Sequence, residues 1–475
     1  MSKSIYTIMT GFLTLIMIIS SGCEKIIDID APLNQVPSEL VYASDKLATS
    51  ARSGMFSGLA LSTTQQQNLT VYSSLQADDL LYLATVLTQQ EYNNNTYNLA
   101  SSGQAGLFSD WYAIIYRANS VIEGLATSTG TSAQIRKQYT AEAKFIRAYC
   151  YFNLVNTFGD VPLVLETNSN VTAFLPKEST ANIYAKIITD LTEAKADLLL
   201  DYSATASDRA GVNRYTAAAL LARVYMFTGN YVAAEANASE VLAVVSPTSL
   251  YNLIPKANLG TGVFVKNSAE TIWQMSPPLV ATSQYTVEGS TFLPSGTTLS
   301  TFAYRISPDF TALFEATDVR RTLWMSDTNF SGVTYSVPFK YKYRTQALAV
   351  AANVSEAQVV MRVAEQYLIR AEARARIGTN LTGARDDLNV IRTRAGASVS
   401  TSTVQGTLLT EIALENRKEL FCEQAFRWFN LKRTGQADIV IGTLKPSYKP
   451  TAKLLPFPTA ATDANPNLKQ NPGYL

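Results

Sequence analysis

Histidine does not occur once in the 475 residues of this chain. That absence removes Ser-His-Asp and Cys-His catalysis, the HExxH zinc site and every imidazole proton shuttle. On the catalytic side only carboxylate chemistry remains, of the kind glycosidases use. Charge is scarce as well: Asp, Glu, Lys and Arg together make 16% of the chain, with 39 cations against 38 anions. Without a basic excess there is no general attraction to nucleic acid or to an anionic membrane surface. No Gly-rich phosphate loop follows any strand pattern, so nucleotide binding has no support. Cysteine occupies three positions, which is no disulfide framework. What the chain does have is a hydrophobic share of 47%, enough for a sizeable core, and abundant Ser, Thr, Asn, Gln and Tyr. Such a surface relies on uncharged hydrogen-bonding groups and suits uncharged ligands.

The N-terminus explains one cysteine. Lys3 precedes the apolar run "GFLTLIMII", Gly11–Ile19, which stops at "SSGC". This run is about half of the ~20 apolar residues a membrane-spanning helix needs, and it reads as a cleaved signal peptide over residues 1–22. Gly22 before Cys23 resembles the lipobox of bacterial lipoproteins, although Ser20 stands where Leu is usual. Cys23 is therefore the expected lipidation site. Each buried acyl methylene contributes ~0.8 kcal/mol, so two or three chains anchor a protein stably. Residues 23–40 then form a tether. Cys150 and Cys422 fall inside helical patterns, where a free cysteine acts as a small hydrophobe.

Residues 53–110 are polar and weakly periodic, which predicts loops with short helices. From Trp111 onward, Trp111, Ile115, Ala118, Ile122 and Leu125 share one helix face, and Ala141, Phe145, Ala148, Phe152 and Val155 share another. The second helix stops at "FGDVP", where Gly159 permits a terminating conformation and Pro162 forbids continuation. Residues 181–200 predict a further helix. "RYTAAALLARVYMFTGNYVAAEANASEVL", 214–242, predicts two alanine-rich helices about a "TGNY" turn, the unit of a tetratricopeptide (TPR) array, and residues 365–392 predict a looser copy. The intervening stretch, about 260–350, is rich in Ser, Thr, Tyr and Pro. Within it "FKYKYR", Phe339–Arg344, alternates as a strand with an aromatic and a basic face. "EIALENRKELFCEQAFRWFNLKR" predicts one amphipathic helix ending at Gly435, followed by an extended tail. The fold class is mainly α: a TPR-like helical-hairpin scaffold over residues 41–475 with loop- and strand-containing insertions.

Four stretches carry a resemblance. "GCEKIIDIDAPLNQVPSE", then "WYAIIYRANSVIEGL" with "EAKFIRAYCYFNLVNTFGDVPLV", then "ENRKELFCEQAFRWFNLKRTG" and the terminal "LLPFP…NPNLKQNPGY" are similar to the SusD/RagB family of outer-membrane lipoproteins from Bacteroidetes. The resemblance implies a SusD-like α-α superhelix, lipid-anchored at the outer-membrane cell surface, without catalytic residues or cofactors. It further implies capture of an oligosaccharide, or in some branches a peptide, for delivery to a SusC-like TonB-dependent transporter. The membrane is then touched through the lipid anchor, and nucleic acid is no partner. Two other functions fit parts of the sequence: a TPR-type outer-membrane assembly or protein-interaction factor, and a surface glycosidase.

Individual residues have readings of their own. Glu415, Arg417, Glu419, Glu423 and Arg427 sit at spacings suited to i,i+4 ion pairs. Glu419 and Glu423 share a helix face, yet the surrounding cations make them structural rather than catalytic. "DVRR", Asp318–Arg321, and "QADD", Gln76–Asp79, are read as structural too, with a structural calcium ion expected near the latter if the protein holds a metal at all. Trp428, with Phe421 and Ala425, belongs to the core, and Trp324 packs under a strand. Sugars are held by aromatic faces beside neutral hydrogen-bonding groups, so aromatics in polar loops are the candidate ligand contacts: Tyr82, Tyr92, Tyr97, Tyr285, Phe292 and Tyr304. The resemblance adds that members of the family build their sites from loops in about these parts of the chain.

Overall fold

A computed structural model describes residues 40–275, 283–296, 298 and 301–474. The expected signal peptide, Cys23 and nearly all of the expected tether lie outside the described residues. Helices dominate, and among the described residues the strands form four two-stranded antiparallel sheets. No described helix is long and apolar enough to cross a membrane.

The scaffold begins with α1 (Asp45–Leu61) and α2 (Leu69–Gln76), followed by α3 (Leu87–Asn94). Two long helices come next, α4 (Ser102–Thr127) and α5 (Ala133–Phe158), and then α6 (Thr180–Asp197). The alanine-rich hairpin is α7 (Arg214–Phe227) and α8 (Tyr231–Leu242). Its turn places Gly229 at φ 74° and uses Asn230 to cap α8. A short helix α9 (Val287–Phe292) lies in the middle region. The second hairpin, α10 (Val363–Ile377) and α11 (Leu381–Ala395), repeats the turn chemistry with Gly378 at φ 83° and Asn380 as cap. Only glycine takes that left-handed conformation without steric cost, and a short carbonyl side chain satisfies the next helix's free N–H groups.

The two hairpins are far apart in the chain but neighbours in space. Ala222, Met226, Ala234 and Ala238 of the first pack against Ile369 and Ala373 of the second, all buried. Alanines at such a crossing bring helix axes toward the short end of the usual ~8–10 Å range. The helical array is therefore continuous, and residues 243–362 leave it and return. That excursion carries β4 (Thr271–Met275), paired with β8 (Gln358–Arg362), and the hairpin β6 (Met325–Phe330) and β7 (Val333–Pro338). Two further short strands, β2 (Val161–Pro162) and β3 (Lys177–Glu178), pair after α5.

Three local expectations are corrected. The polar N-terminal stretch holds a 17-residue helix, α1, and α2 is buried at every position. Its polarity misled because the polar groups are core groups: Gln65 donates to Gln358 and Gln424, and Thr70 donates to Glu288. "FKYKYR" is no strand; Lys340 and Tyr341 are both buried, with Lys340 Nζ donating to Glu423 at 2.5 Å. The C-terminal helix is broken. α12 (Gln405–Leu420) stops, Cys422 and Gln424 adopt φ of 50° and 47°, and α13 (Phe426–Arg433) starts afresh. Gly435 (φ 70°) follows α13, before α14 (Ala437–Leu444). Trp428 is 2% exposed, and Trp324 is fully buried just ahead of β6, its indole N–H donating to the Leu259 carbonyl.

Candidate functional site

The carboxylates of the broken helix are consumed by cations. Glu419 accepts from Arg320 at 2.8 Å and from Arg362 at 2.5 Å, and also pairs with Arg394. Glu423 is bound by Arg362 at 2.8 Å and by Lys340. Glu270 closes the network onto Arg362 and Arg394, and Asp318 and Glu415 hold Arg320. Burial would raise the pKa of Glu419, but Arg394, Arg362 and Arg320 overcome it and hold the carboxyl well below the usual carboxylate range. A carboxylate kept ionised in this way is a poor general acid. These groups join α12 and the turn after it to the excursion and, through Arg394, to α11.

Asp78 and Asp79 do not suit a calcium ion. Arg427 lies 2.7 Å and Arg417 2.9 Å from Asp78, and Arg417 lies 3.1 Å from Asp79. Guanidinium groups already stand where a cation would be needed, and the described residues contain no cluster of acidic, Cys or His side chains able to hold a metal.

The six aromatic candidates come from segments that do meet. β1 (Leu80–Tyr82) pairs antiparallel with β5 (Tyr304–Ile306), so Tyr82 faces Tyr304 with ring centroids 5.1 Å apart. Phe292 of α9 packs edge-on against Tyr304 at 5.7 Å. Tyr92 stacks on Tyr72 at 4.0 Å and touches Tyr97 at 5.3 Å. Exposure is where the expectation fails: Tyr82, Tyr92, Phe292 and Tyr304 are buried, and Tyr285 is half-buried ahead of α9. Their rings gain more from stacking on each other than polar sequence neighbours suggested.

Tyr97 stands apart because it lines an open cleft of about 470 Å³. One wall is the 95–99 loop; the other is the C-terminal tail, with Ser447, Thr451 and Tyr474. Asn95 ends α3 in the left-handed conformation at φ 54°, a position Asn tolerates better than most residues. Its Nδ2 donates to the Tyr97 hydroxyl at 3.1 Å, and Gln76 Nε2 donates to the same oxygen at 2.8 Å. Lys445 Nζ donates to Asn95 Oδ1 at 2.8 Å, and burial pushes this amine down to about 7. The tail is fixed by Asn471, which donates to the Phe158 and Leu455 carbonyls at 2.8 Å each, and by Tyr474, which donates to the Leu454 carbonyl at 2.9 Å. Gly473 has φ 91°, and a Cβ there would meet Thr451 at 2.7 Å, so only glycine lets the tail close. The Tyr97 and Tyr474 rings meet at a tilt with centroids 6.5 Å apart, and Lys449 is the one charged side chain among the residues lining the cleft. Burial raises the Tyr97 phenol, which stays neutral. Two aromatic rings with Asn, Ser and Thr groups suit an uncharged polyhydroxyl ligand. Nothing in the sequence pointed to Tyr474, Ser447 or Thr451, since the tail carries no periodicity.

The mainly helical fold, with stacked hairpins and a strand-containing excursion, matches SusD superfamily structures. A crystal structure of a SusD superfamily protein from Bacteroides vulgatus superposes with TM-score 0.77 at 19% identity, covering 91% of this chain and 99% of that one. A laminarin-binding SusD-like protein superposes with TM-score 0.76 at 23% identity, covering 91% and 100%. In sequence, SusD-like protein P2 of Formosa agariphila is 26% identical over the full length of both chains, and SusD-like protein P25 of that organism is 24% identical over 95% and 97%. Residues 34–226 match the family described as starch-binding, associating with outer membrane, and residues 319–474 match the SusD family. The chain belongs to the SusD/RagB family.

Proposed function

We propose that the protein captures a neutral oligosaccharide at the outer-membrane surface and passes it to a SusC-like TonB-dependent transporter. The observation that carries this reading is the cleft between Tyr97 and Tyr474, whose polar lining is almost entirely uncharged. The two rings touch at a tilt and together offer one aromatic surface for the apolar face of a sugar, and fixed amides and hydroxyls take its hydroxyl groups. The laminarin-binding protein that shares this fold, and the starch-binding description of the matching family, support a glycan over a peptide. Binding without turnover is supported by the fate of Glu419 on α12 and Glu423 in the turn after it, both bound by arginine. Retention at the membrane rests on the lipidation expected at Cys23.

Isothermal titration of the purified chain against laminarin, starch fragments and other neutral glycans tests this. Tyr97→Ala and Tyr474→Ala are expected to weaken the bound glycan at least tenfold, about 1.4 kcal/mol, and no glycan should be shortened on incubation. Variants that bind like the parent would place the site elsewhere; released reducing ends would make the protein an enzyme.

A further inference from the structure

α2 has no cation in its own last turn, and the final carbonyls of a helix have no partner within it. Lys445, the residue after α14, supplies the cation from 370 positions away. Its Nζ donates to the Leu75 carbonyl at 2.5 Å, to the Gln76 carbonyl at 3.1 Å and to Asn95 Oδ1 at 2.8 Å. An ammonium has three N–H donors and no acceptor, so these oxygens match it one for one. Two of them belong to Gln76 and Asn95, whose side chains hold the Tyr97 hydroxyl. Lys445 thus stands behind the aromatic wall of the cleft without lining it.

A neutral amine keeps two N–H groups and turns a lone pair toward the third oxygen. The two carbonyls are fixed by α2, which is buried at every position. Asn95 is the movable member, because among the described residues only Lys445 donates to its Oδ1. Turning this amide gives the lone pair a donor and withdraws Nδ2 from the Tyr97 hydroxyl.

We propose that Lys445 is the positioning residue of this cleft: as an ammonium it fixes Asn95 and, through it, Tyr97 in the ligand-binding arrangement, and as a neutral amine it releases both. The effect on affinity rests on the saccharide reading; the movement of Tyr97 does not. Affinity is then highest where the amine is protonated and falls as pH rises.

Burial brings the loss of that proton to about 7, against the attraction of Asp78. Burial also opposes the charge of Asp78, but Arg427 of α13 and Arg417 of α12 hold its carboxyl below the usual range. Tyr97 in the loop and Tyr448 and Tyr474 in the tail are phenols that burial raises. On α14 Asp438 pairs with Lys453, and Lys449 is exposed on the tail. Asp79 is raised by burial beside Arg417, so its titration has to be separated from that of Lys445.

Titration calorimetry of the full chain with laminarin and starch oligosaccharides at about pH 6 and 9 tests the effect on affinity. The Kd of the parent is expected to rise roughly fivefold between them. Lys445→Met and Asn95→Gly, whose glycine keeps the left-handed backbone, should each bind roughly fivefold more weakly than the parent at the lower pH, and the double variant no more weakly than either. Both should be indifferent to pH. Without ligand, the Tyr97 signal of the chain isotope-labelled at tyrosine Cζ, assigned with Tyr97→Phe, should shift in the parent with a midpoint at about 7 and stay fixed in both variants. Asn95→Gly keeps the amine, so a shift there would be a bare field effect and would overturn the relay. Losses that add in the double variant, a glycan affinity flat with pH in the parent, or a pH dependence that persists in Lys445→Met and so belongs to Asp79, would each overturn the proposal as well. If no glycan binds at either pH, the saccharide reading fails by itself and the Tyr97 signal decides. Should Lys445→Met fail to fold, the parent's pH profile and Asn95→Gly still decide.

Discussion

Arg362, the last residue of β8, donates to Glu419 on α12 at 2.5 Å, and the same guanidinium reaches Glu423 and Glu270. One side chain thereby ties the returning excursion to the helix that ends the array. Its surroundings are fully buried, so the group is indispensable in a particular sense: the pair adds little net stability, but removing one partner strands charge in the interior. Arg362→Leu is expected to cost about 3–5 kcal/mol, measured by urea denaturation. A loss under 1 kcal/mol would mean that Arg320, Arg394 and Lys340 neutralise the acids without it.

Trp428 sits on the buried face of α13 beside the α5 helix end, with the Lys432 amine over its ring at 5.6 Å. Trp428→Ala should lower stability by about 3–5 kcal/mol and leave glycan affinity unchanged. Lost binding at unchanged melting temperature would move this residue from core to ligand contact.

Lys445 gives the protein a pH signature. Burial lowers this amine from 10.5 to about 7 in the folded chain. Between about 7 and 10.5 the unfolded state therefore binds more protons, and stability rises with pH across that window. Below about 7 both states are protonated and the contribution is flat. The slope is at most about 1.4 kcal/mol per pH unit. Lys432, also pushed to about 7 by burial, adds in the same direction. Glu288, which burial raises to about 7, acts in a separate window and the opposite sense: stability falls as pH rises from 4.5 to about 7. Denaturation of Lys445→Met at about pH 7.5 and 9.5, set against the parent, should show a shallower slope. An unchanged slope would mean the amine is solvated.

Cys23→Ala is expected to yield a folded protein released from the outer-membrane fraction in a strain lacking the transporter. Continued sedimentation with membranes would make the cysteine incidental and the apolar leader an ordinary signal sequence.

Much of this architecture is local in origin. The helices from Trp111 to Phe158 and the two Gly-Asn hairpin turns follow from apolar spacing and from single residues that suit one backbone conformation. The burial of Trp428, and cations around Glu419, followed from the same periodicity. Other features depend on partners hundreds of residues away. α2 is buried although it is polar, because Glu288 and Gln424 meet its hydroxyl groups. Lys340 points inward because Glu423 awaits it. α12 ends at Leu420 in a turn buried with Cys422 and Gln424, with no proline or glycine to announce it. The cleft is the clearest case, since Tyr97 and Tyr474 meet only after the tail has closed over Thr451. Sequence by itself determined where helices run and which faces are apolar, since those are decided within a few residues. Tertiary structure decided which polar groups are buried and which tyrosines reach solvent, because a buried polar group is stable only when its distant partner is in place.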